Sequence, residues 1–319
     1  MGICAGETEI MIIETYKYDT PWQAKARKHQ SDFREHEMKV PAVPNTSRSG
    51  CYGNVISADD GASGVNFYPP FRDEIKQDLK GKTGAILTNV LRSEHIPYNI
   101  FFPMRHDLQK AALLFRTLTG KDVAVVRNIM IEYAPAPKEE YLDDLTSFDT
   151  YLDYQDSTGA RYGIGIEVKY TEQGYQIGKG EEQKIHDRNS TYYRVTRESG
   201  CFDYGGISEK EYIESNFGKH DRGNDLRQLW RNHILGLSMK LHRDGIKDFL
   251  SVHLYPSFNE HFNPNTSTVL ADYCSLLNDS GKPTFMPLTY KDLFEAMKKC
   301  GMDEIDGGWI PYLTRRYIL

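Results

Sequence analysis

The chain has 319 residues, a formal net charge of −6, and aliphatic, aromatic and charged residues in globular proportion. This composition excludes disorder over most of the length and allows one large domain or two modest ones. The acidic balance argues against a uniformly basic nucleic-acid coat, yet it leaves room for a local basic groove and suits an enzyme that gathers carboxylates around a cation. No apolar run reaches the length of a membrane span, and Met11-Ile12-Ile13 is too short for a signal peptide. Cys4, Cys51, Cys201, Cys274 and Cys300 show no CxxC spacing, so zinc is not signalled, and their odd number and wide spacing fit a reducing compartment. A soluble, cytoplasmic protein is expected.

In chain order, residues 22–38 read as a helix carrying Lys25, Arg27, Lys28, His29 and Arg34, ended by Pro41 and Pro44. The run at 25–29 reads as a solvated face. Residues 45–70 are rich in Gly, Ser, Asn and Pro and read as a long loop or arm. Residues 1–83 are therefore expected as an N-terminal helix and extended arm, and 84–319 as the main domain. Within 84–96, Ile86, Leu87, Val90 and Leu91 have helical spacing, which places Glu94 on the apolar face. A second helix is expected at 107–118. Strands follow at about 123–133, 147–154 and 163–170, the last two separated by the turn-forming stretch Gln155-Asp156-Ser157-Thr158-Gly159-Ala160. Residues 173–223 read as a polar insertion with short helices, one at 208–216. A strong helix at 224–242, a strand at 248–255, a helix near 266–277, a strand near 284–288 and a helix at 290–300 complete the pattern. This is an α/β (α+β) chain with a mixed sheet, helices on its faces and αβββαβ element order.

The chemistry concentrates on strand 163–170. Side chains alternate between faces, so Ile164, Ile166, Val168 and Tyr170 share a core face, and Glu167 and Lys169 share the other with Gly163 and Gly165. The glycines are expected to leave open space beside the charges. A hairpin centred on Thr158 places Asp149 directly across from Glu167, with Cβ atoms about 5 Å apart. Two carboxylates so placed repel unless a cation lies between them, and a hard divalent ion such as Mg²⁺ takes carboxylate oxygens, waters and phosphate oxygens. Lys169 would then orient or deprotonate an attacking water and stabilise developing charge. Two carboxylates alone would suit a glycosidase; the lysine two residues along the same strand favours phosphodiester hydrolysis.

Asp149 followed by Glu167-Val168-Lys169 on the next strand resembles the PD-(D/E)XK nuclease signature. Further pieces resemble a bacterial restriction-endonuclease-like family of that superfamily: Ser93-Glu94-His95 with Asn99-Ile100-Phe101 and Pro103, Phe148-Asp149, Ile164 through Glu172, and Gln228-Leu229-Trp230-Arg231-Asn232-His233. They span roughly residues 84–255. The resemblance implies a restriction-endonuclease-like core and Mg²⁺-dependent DNA cleavage, with Mn²⁺ able to substitute. One departure stands out: Thr146-Ser147-Phe148 precedes Asp149 where the superfamily name has proline.

The resemblance also suggests Glu94 as a third metal ligand beside Asp149 and Glu167, since many of these enzymes carry an acid on the first core helix. Gln228 is similar to the glutamine that RecB-like nucleases place after the ExK strand. Gln228 and Arg231 are candidate nucleic-acid-binding residues, and Arg231 and His233 are candidates for phosphate contact. Each has a bland counterpart: Glu167 and Lys169 as charges on an exposed strand face, Glu94 as an ordinary helix carboxylate, Gln228 and Arg231 as surface polar residues, His253 and His261 as structural or exposed. The 21 tyrosines could stack on bases, although aromatic residues are more often core. The expected function is a DNA endonuclease of restriction or defence type, with a homodimer allowed. The competing readings are a non-catalytic nucleic-acid-binding protein on the same fold and an enzyme acting on a sugar or small molecule.

Overall fold

The computed structural model describes residues 12–13, 16–44, 51–79, 81, 84–175, 177–218, 223–243 and 245–319. Its centre is a five-stranded mixed sheet with the strands in chain order: β1 (Val125–Tyr133), β2 (Phe148–Gln155), β3 (Arg161–Val168), β4 (Asp248–Tyr255) and β5 (Phe285–Thr289). The first three run antiparallel; β4 and β5 are added parallel to β3 and to each other.

The β2–β3 turn fixes the register of the site. Asp156 Oδ1 accepts the backbone N–H of Thr158 and of Ala160, both at 2.9 Å, and Gly159 takes the left-handed conformation (φ 84°) that only glycine adopts without strain. Tyr162 donates to the other carboxylate oxygen at 2.9 Å. The Thr158 hydroxyl, foremost among these donors, pulls the Asp156 carboxyl down to about 2. From this turn the ladder runs Gln155↔Arg161 to Thr150↔Ile166, which is the register expected from the sequence.

Alternation then sorts the sheet into two cores. Ile164, Ile166, Val168 and Tyr170 join Leu250, Val252 and Leu254 on one face. That face is covered by α1 (Pro21–Phe33), α2 (Ile96–Phe101), α3 (Leu108–Thr119), α8 (Tyr290–Lys299) and α9 (Trp309–Tyr317). Phe148, Tyr151, Phe249 and Phe285 face the other way, against α7 (Gly223–Leu241) through Leu229, Trp230, Ile234 and Leu237. The polar insertion folds onto this second core as α4 (Lys179–His186), α5 (Thr191–Glu198) and α6 (Glu209–Phe217).

Several expectations change. The glycines of β3 do not open space: a Cβ on Gly163 would strike the Tyr151 ring, and one on Gly165 would strike Phe148 and Phe249. They are small because aromatic rings from the neighbouring strands fill the volume. The helix expected at 84–96 is a single turn, Ala85–Thr88. Asn89 Oδ1 accepts the Leu91 N–H at 3.1 Å and an Asn54 amide hydrogen at 2.7 Å, and Val90 donates to the Asn54 carbonyl. These bonds turn the chain, and Val90 and Leu91 are buried from a turn instead of a helix. The helix restarts at Ile96 with Pro97 in its first turn, where a proline is tolerated.

Part of the stretch expected as an N-terminal arm joins the main core. Helix α1 starts at a reciprocal Thr20–Gln23 capping box and buries Ala26 and Phe33 with the C-terminal helix α9, which the sequence pattern did not reveal. Arg27 and Arg34 are buried, so the basic run is not simply a solvated face. Residues 45–50 of the expected loop lie outside the described residues; within its remainder Cys51–Tyr52 is a short strand and Ala58–Ser63 a helix. Against the reduced set expected, Cys51 is disulfide-bonded, while Cys201, Cys274 and Cys300 are free. Among the described residues no helix is long and apolar enough to cross a membrane.

Candidate active site

The ladder between β2 and β3 stops one step short of Asp149 and Glu167. There a side chain replaces the backbone acceptor: Val168 N–H donates to Asp149 Oδ2 at 2.6 Å. Asp149 is thereby locked to the strand that carries Glu167, across the opposition the register dictates. Lys169 follows the last residue of β3, but its backbone N–H still bonds to Leu254 O at 2.8 Å, so it keeps strand geometry. Its carbonyl accepts the Tyr290 hydroxyl at 2.6 Å. Asp149, Glu167 and Lys169 line one cavity of about 590 Å³, together with Glu94, Glu172 and Gln228.

Glu167 is the most heavily partnered carboxylate of the site. Oε1 accepts from Lys169 Nζ at 2.6 Å and from Gln228 Nε2 at 2.7 Å; Oε2 accepts from Asn232 Nδ2 at 2.6 Å. Gln228 and Asn232 are four residues apart on α7 and so share a face, the one turned to the sheet. Asn232 had no role assigned from sequence, although its spacing from Gln228 was the signal that could have found it. Lys169 is buried, with 7% of its side chain exposed, and Glu167 has 11%. An ion pair this desolvated holds its geometry only with further hydrogen bonds, which the two α7 amides supply.

Burial, and next the charge of Glu167, push the Asp149 carboxyl well above its ordinary range, against the pull of Lys169 and the Val168 N–H. Burial alone would lower the Lys169 ammonium, but Glu167 and Asp149 outweigh it and raise it. The site thus sets two carboxylates against one ammonium and is short of positive charge. Asp149 Oδ1 has no hydrogen-bond partner among the described residues. Oxygen donors with free lone pairs and unbalanced negative charge fit a hard divalent cation, which binds through one or two carboxylates and keeps several waters. Among the described residues no group of three His, Cys, Asp or Glu side chains converges as a metal cage.

The helix expected to carry Glu94 is corrected, although Glu94 does line the cavity. It sits in the turn before α2, not on a helix, and Arg92 holds it through two hydrogen bonds of 3.0 and 2.6 Å. Its side chain is 35% exposed, at the rim of the cavity. The inward phase assumed for it vanished with the helix. Glu172 ties this turn to the strand end instead, accepting Ser93 N–H and Tyr170 N–H, each at 2.9 Å.

Arg231 is also placed otherwise than expected. Its guanidinium donates to the Tyr175 hydroxyl, to Glu181 Oε1 at 3.0 Å and to Thr146 Oγ1 at 2.6 Å, bracing α4 and the approach to β2. His233 is buried, with its ring nitrogens 2.9 Å from the Tyr273 hydroxyl and 2.8 Å from the Thr284 hydroxyl, and burial lowers it to about 3. His253 is buried against Phe262 at 4.4 Å between ring centroids.

Comparison with curated proteins and with solved structures gives no match. A family model described as PD-(D/E)XK nuclease superfamily matches residues 17–319, nearly the whole chain and well beyond the stretch that carried the sequence resemblance. The antiparallel hairpin, the acid on its first strand, the Glu-x-Lys on its second and the helix that braces that glutamate are accounted for together: the chain belongs to the PD-(D/E)XK nuclease superfamily.

Proposed function

We propose that the protein is a divalent-metal-dependent deoxyribonuclease that hydrolyses DNA phosphodiester bonds, of restriction or defence type. Family membership supports nuclease activity in general. The observation that carries the finer reading is the placement of Asp149, Glu167 and Lys169 in one cavity, with Asp149 bonded to the glutamate's own strand and an excess of negative charge.

Asp149 and Glu167 would hold the cation, Mg²⁺ with Mn²⁺ able to substitute. Such an ion lowers the pKa of a bound water and offsets charge on the phosphate. Lys169 places an ammonium beside the carboxylates, where it orients the attacking water and stabilises charge that grows in the transition state. Gln228 and Asn232 fix the Glu167 carboxylate so that it need not reorganise during the reaction. They are positioning residues. The exposed rim residues Arg92 and Glu94 are not assigned a ligand role.

Plasmid nicking with and without EDTA tests this reading. Cleavage should require added Mg²⁺ or Mn²⁺, stop with chelation and disappear in Asp149→Asn. A folded wild-type chain that leaves supercoiled, relaxed and single-stranded DNA intact across a titration of both metals would overturn it.

A further inference from the structure

The cavity that holds the three charged residues continues into a second one. This neighbour has a volume of about 410 Å³, and Gln23, Arg92, Thr171 and Glu172 line both. A strand with one phosphate at Asp149 and Glu167 therefore brings an adjacent nucleotide to the second cavity.

Three tyrosines form its aromatic wall. Tyr16 meets Tyr18 edge-on at 5.3 Å and Tyr52 at 5.7 Å between ring centroids. Tyr52 is buried at the base, and Tyr18 is 69% exposed at the rim. Behind them, Arg27 donates twice to Asp19, at 2.6 and 2.9 Å, and once to Asn54 at 2.6 Å. Its guanidinium carbon lies 5.6 and 5.7 Å from the Tyr16 and Tyr52 centroids.

This arrangement selects the guest by elimination. Arg27 already sits against the faces of Tyr16 and Tyr52, and Lys17 Nζ lies 4.7 Å from the Tyr18 ring centroid, so a further cation gains little from the three rings. Asp19 pairs with Arg27 and Glu94 with Arg92, the two arginines of the cavity wall, so an anion is not strongly drawn either. A flat, uncharged guest with hydrogen-bonding edges remains, and Asn89 is set to meet one. Its Oδ1 is occupied by Asn54 and by the Leu91 N–H, which fixes the amide, and its Nδ2 has no partner among the described residues.

We propose that the tyrosine-lined cavity receives an unpaired nucleobase of the substrate strand, next to the phosphate being cut. The proposal rests on the nuclease reading and gives it a substrate class: DNA with unpaired bases, such as single strands, frayed ends or mismatches. A paired base must leave the helical stack to enter a cavity, at a cost that a single strand does not incur. Stacking on tyrosine accepts any base, and the Asn89 donor adds a preference for a base that presents an acceptor.

The test uses the whole 319-residue chain, a single-stranded oligonucleotide carrying 2-aminopurine at one position, and its fully paired duplex. Binding is read by anisotropy and 2-aminopurine fluorescence, in EDTA and again in Ca²⁺, so that cleavage does not enter. The single strand should bind more tightly than the duplex, and the probe should be quenched when its position matches the cavity. Tyr18→Ala should weaken single-strand binding roughly 5- to 150-fold, the range of one lost base–aromatic stack. Tyr18→Phe should restore it. Because Tyr18 is exposed, both variants should keep the wild-type thermal midpoint. Equal affinity for strand and duplex, or Tyr18→Ala binding within twofold of wild type, would overturn the cavity assignment; if wild type still cleaves plasmid, the nuclease reading stands alone. Neither cleavage nor binding of any DNA would overturn both.

Discussion

Asp149 and Glu94 line the same cavity, but the chain holds them by opposite means. Asp149 lies at the end of a ladder whose register is fixed by a turn seven residues on, and its carboxylate is bonded to the backbone of the facing strand. Glu94 lies in an irregular turn and is held by an arginine two residues away at the exposed rim. The first geometry is over-determined by the sheet; the second depends on one surface ion pair, which is worth little energetically.

The largest effect that sharpens this contrast is expected at Lys169. Lys169→Ala should lower cleavage by about 10²–10⁴ while DNA affinity in Ca²⁺ stays close to wild type. Lys169→Arg should not rescue it, because a planar guanidinium places its charge differently. An active Lys169→Ala preparation, free of contaminating nuclease, would sink the mechanism. Asp149→Asn should also cost orders of magnitude in rate. Its thermal midpoint in EDTA should be unchanged or raised, since the amide oxygen can still accept the Val168 N–H and the repulsion from Glu167 is gone.

Asn232→Ala should act more gently, through Glu167. Loss of a partner that orients a metal ligand typically costs about 10- to 100-fold in metal affinity, so half-maximal cleavage should shift to higher Mg²⁺ with partial recovery at saturation. A fall in rate with no change in metal requirement would mean that Asn232 only packs the helix. Smaller still, Glu94→Gln should cleave within about threefold of wild type, judged against the weak energetics of surface pairs. A Glu94→Gln defect as deep as that of Asp149→Asn would erase the contrast between the two acids.

The last expected effect is on stability and leaves cleavage untouched. His233 has its folded-state pKa lowered to about 3 from 6.5, so below pH 6.5 the unfolded chain takes up a proton that the folded chain refuses. Stability should therefore fall on acidification from about pH 6.5 toward 3 and be insensitive to His233 above that window. Melting curves of wild type and His233→Gln should converge as pH drops; parallel curves would remove His233 as the cause.

The site was legible in the sequence wherever strand arithmetic applied. Asp149, Glu167 and Lys169 followed from a turn of recognisable composition and a period of two. Gln228 was singled out by its likeness to the glutamine of RecB-like nucleases, on a helix whose apolar spacing was plain. What stayed hidden depended on contacts distant in sequence. Nothing near Glu94 announces that Asn54 will capture Asn89 and turn the chain, and nothing in Gly163-Ile164-Gly165 says that Tyr151, Phe148 and Phe249 will fill the glycines' volume. Pro97 did mark the helix break, but the apolar spacing before it gave the stronger and misleading signal. The C-terminal helix was missed because Arg316 lies in its buried face; it donates to the Asn66 carbonyl at 2.7 Å and lies 5.2 Å from the Phe33 ring.

That buried face has a consequence for the order in which the parts of the site are made. Gln30 donates both to Tyr170, directly after Lys169, and to the carbonyl of Arg316, while Tyr290 holds the carbonyl of Lys169 itself. The charged cluster is written by residue 169, yet two of its supports arrive more than a hundred residues later. On the ribosome, the hairpin and the residues that line the cavity, Gln228 the last of them, emerge before Tyr290 and Arg316 are made, so the walls of the site precede the helices that brace the backbone of Lys169.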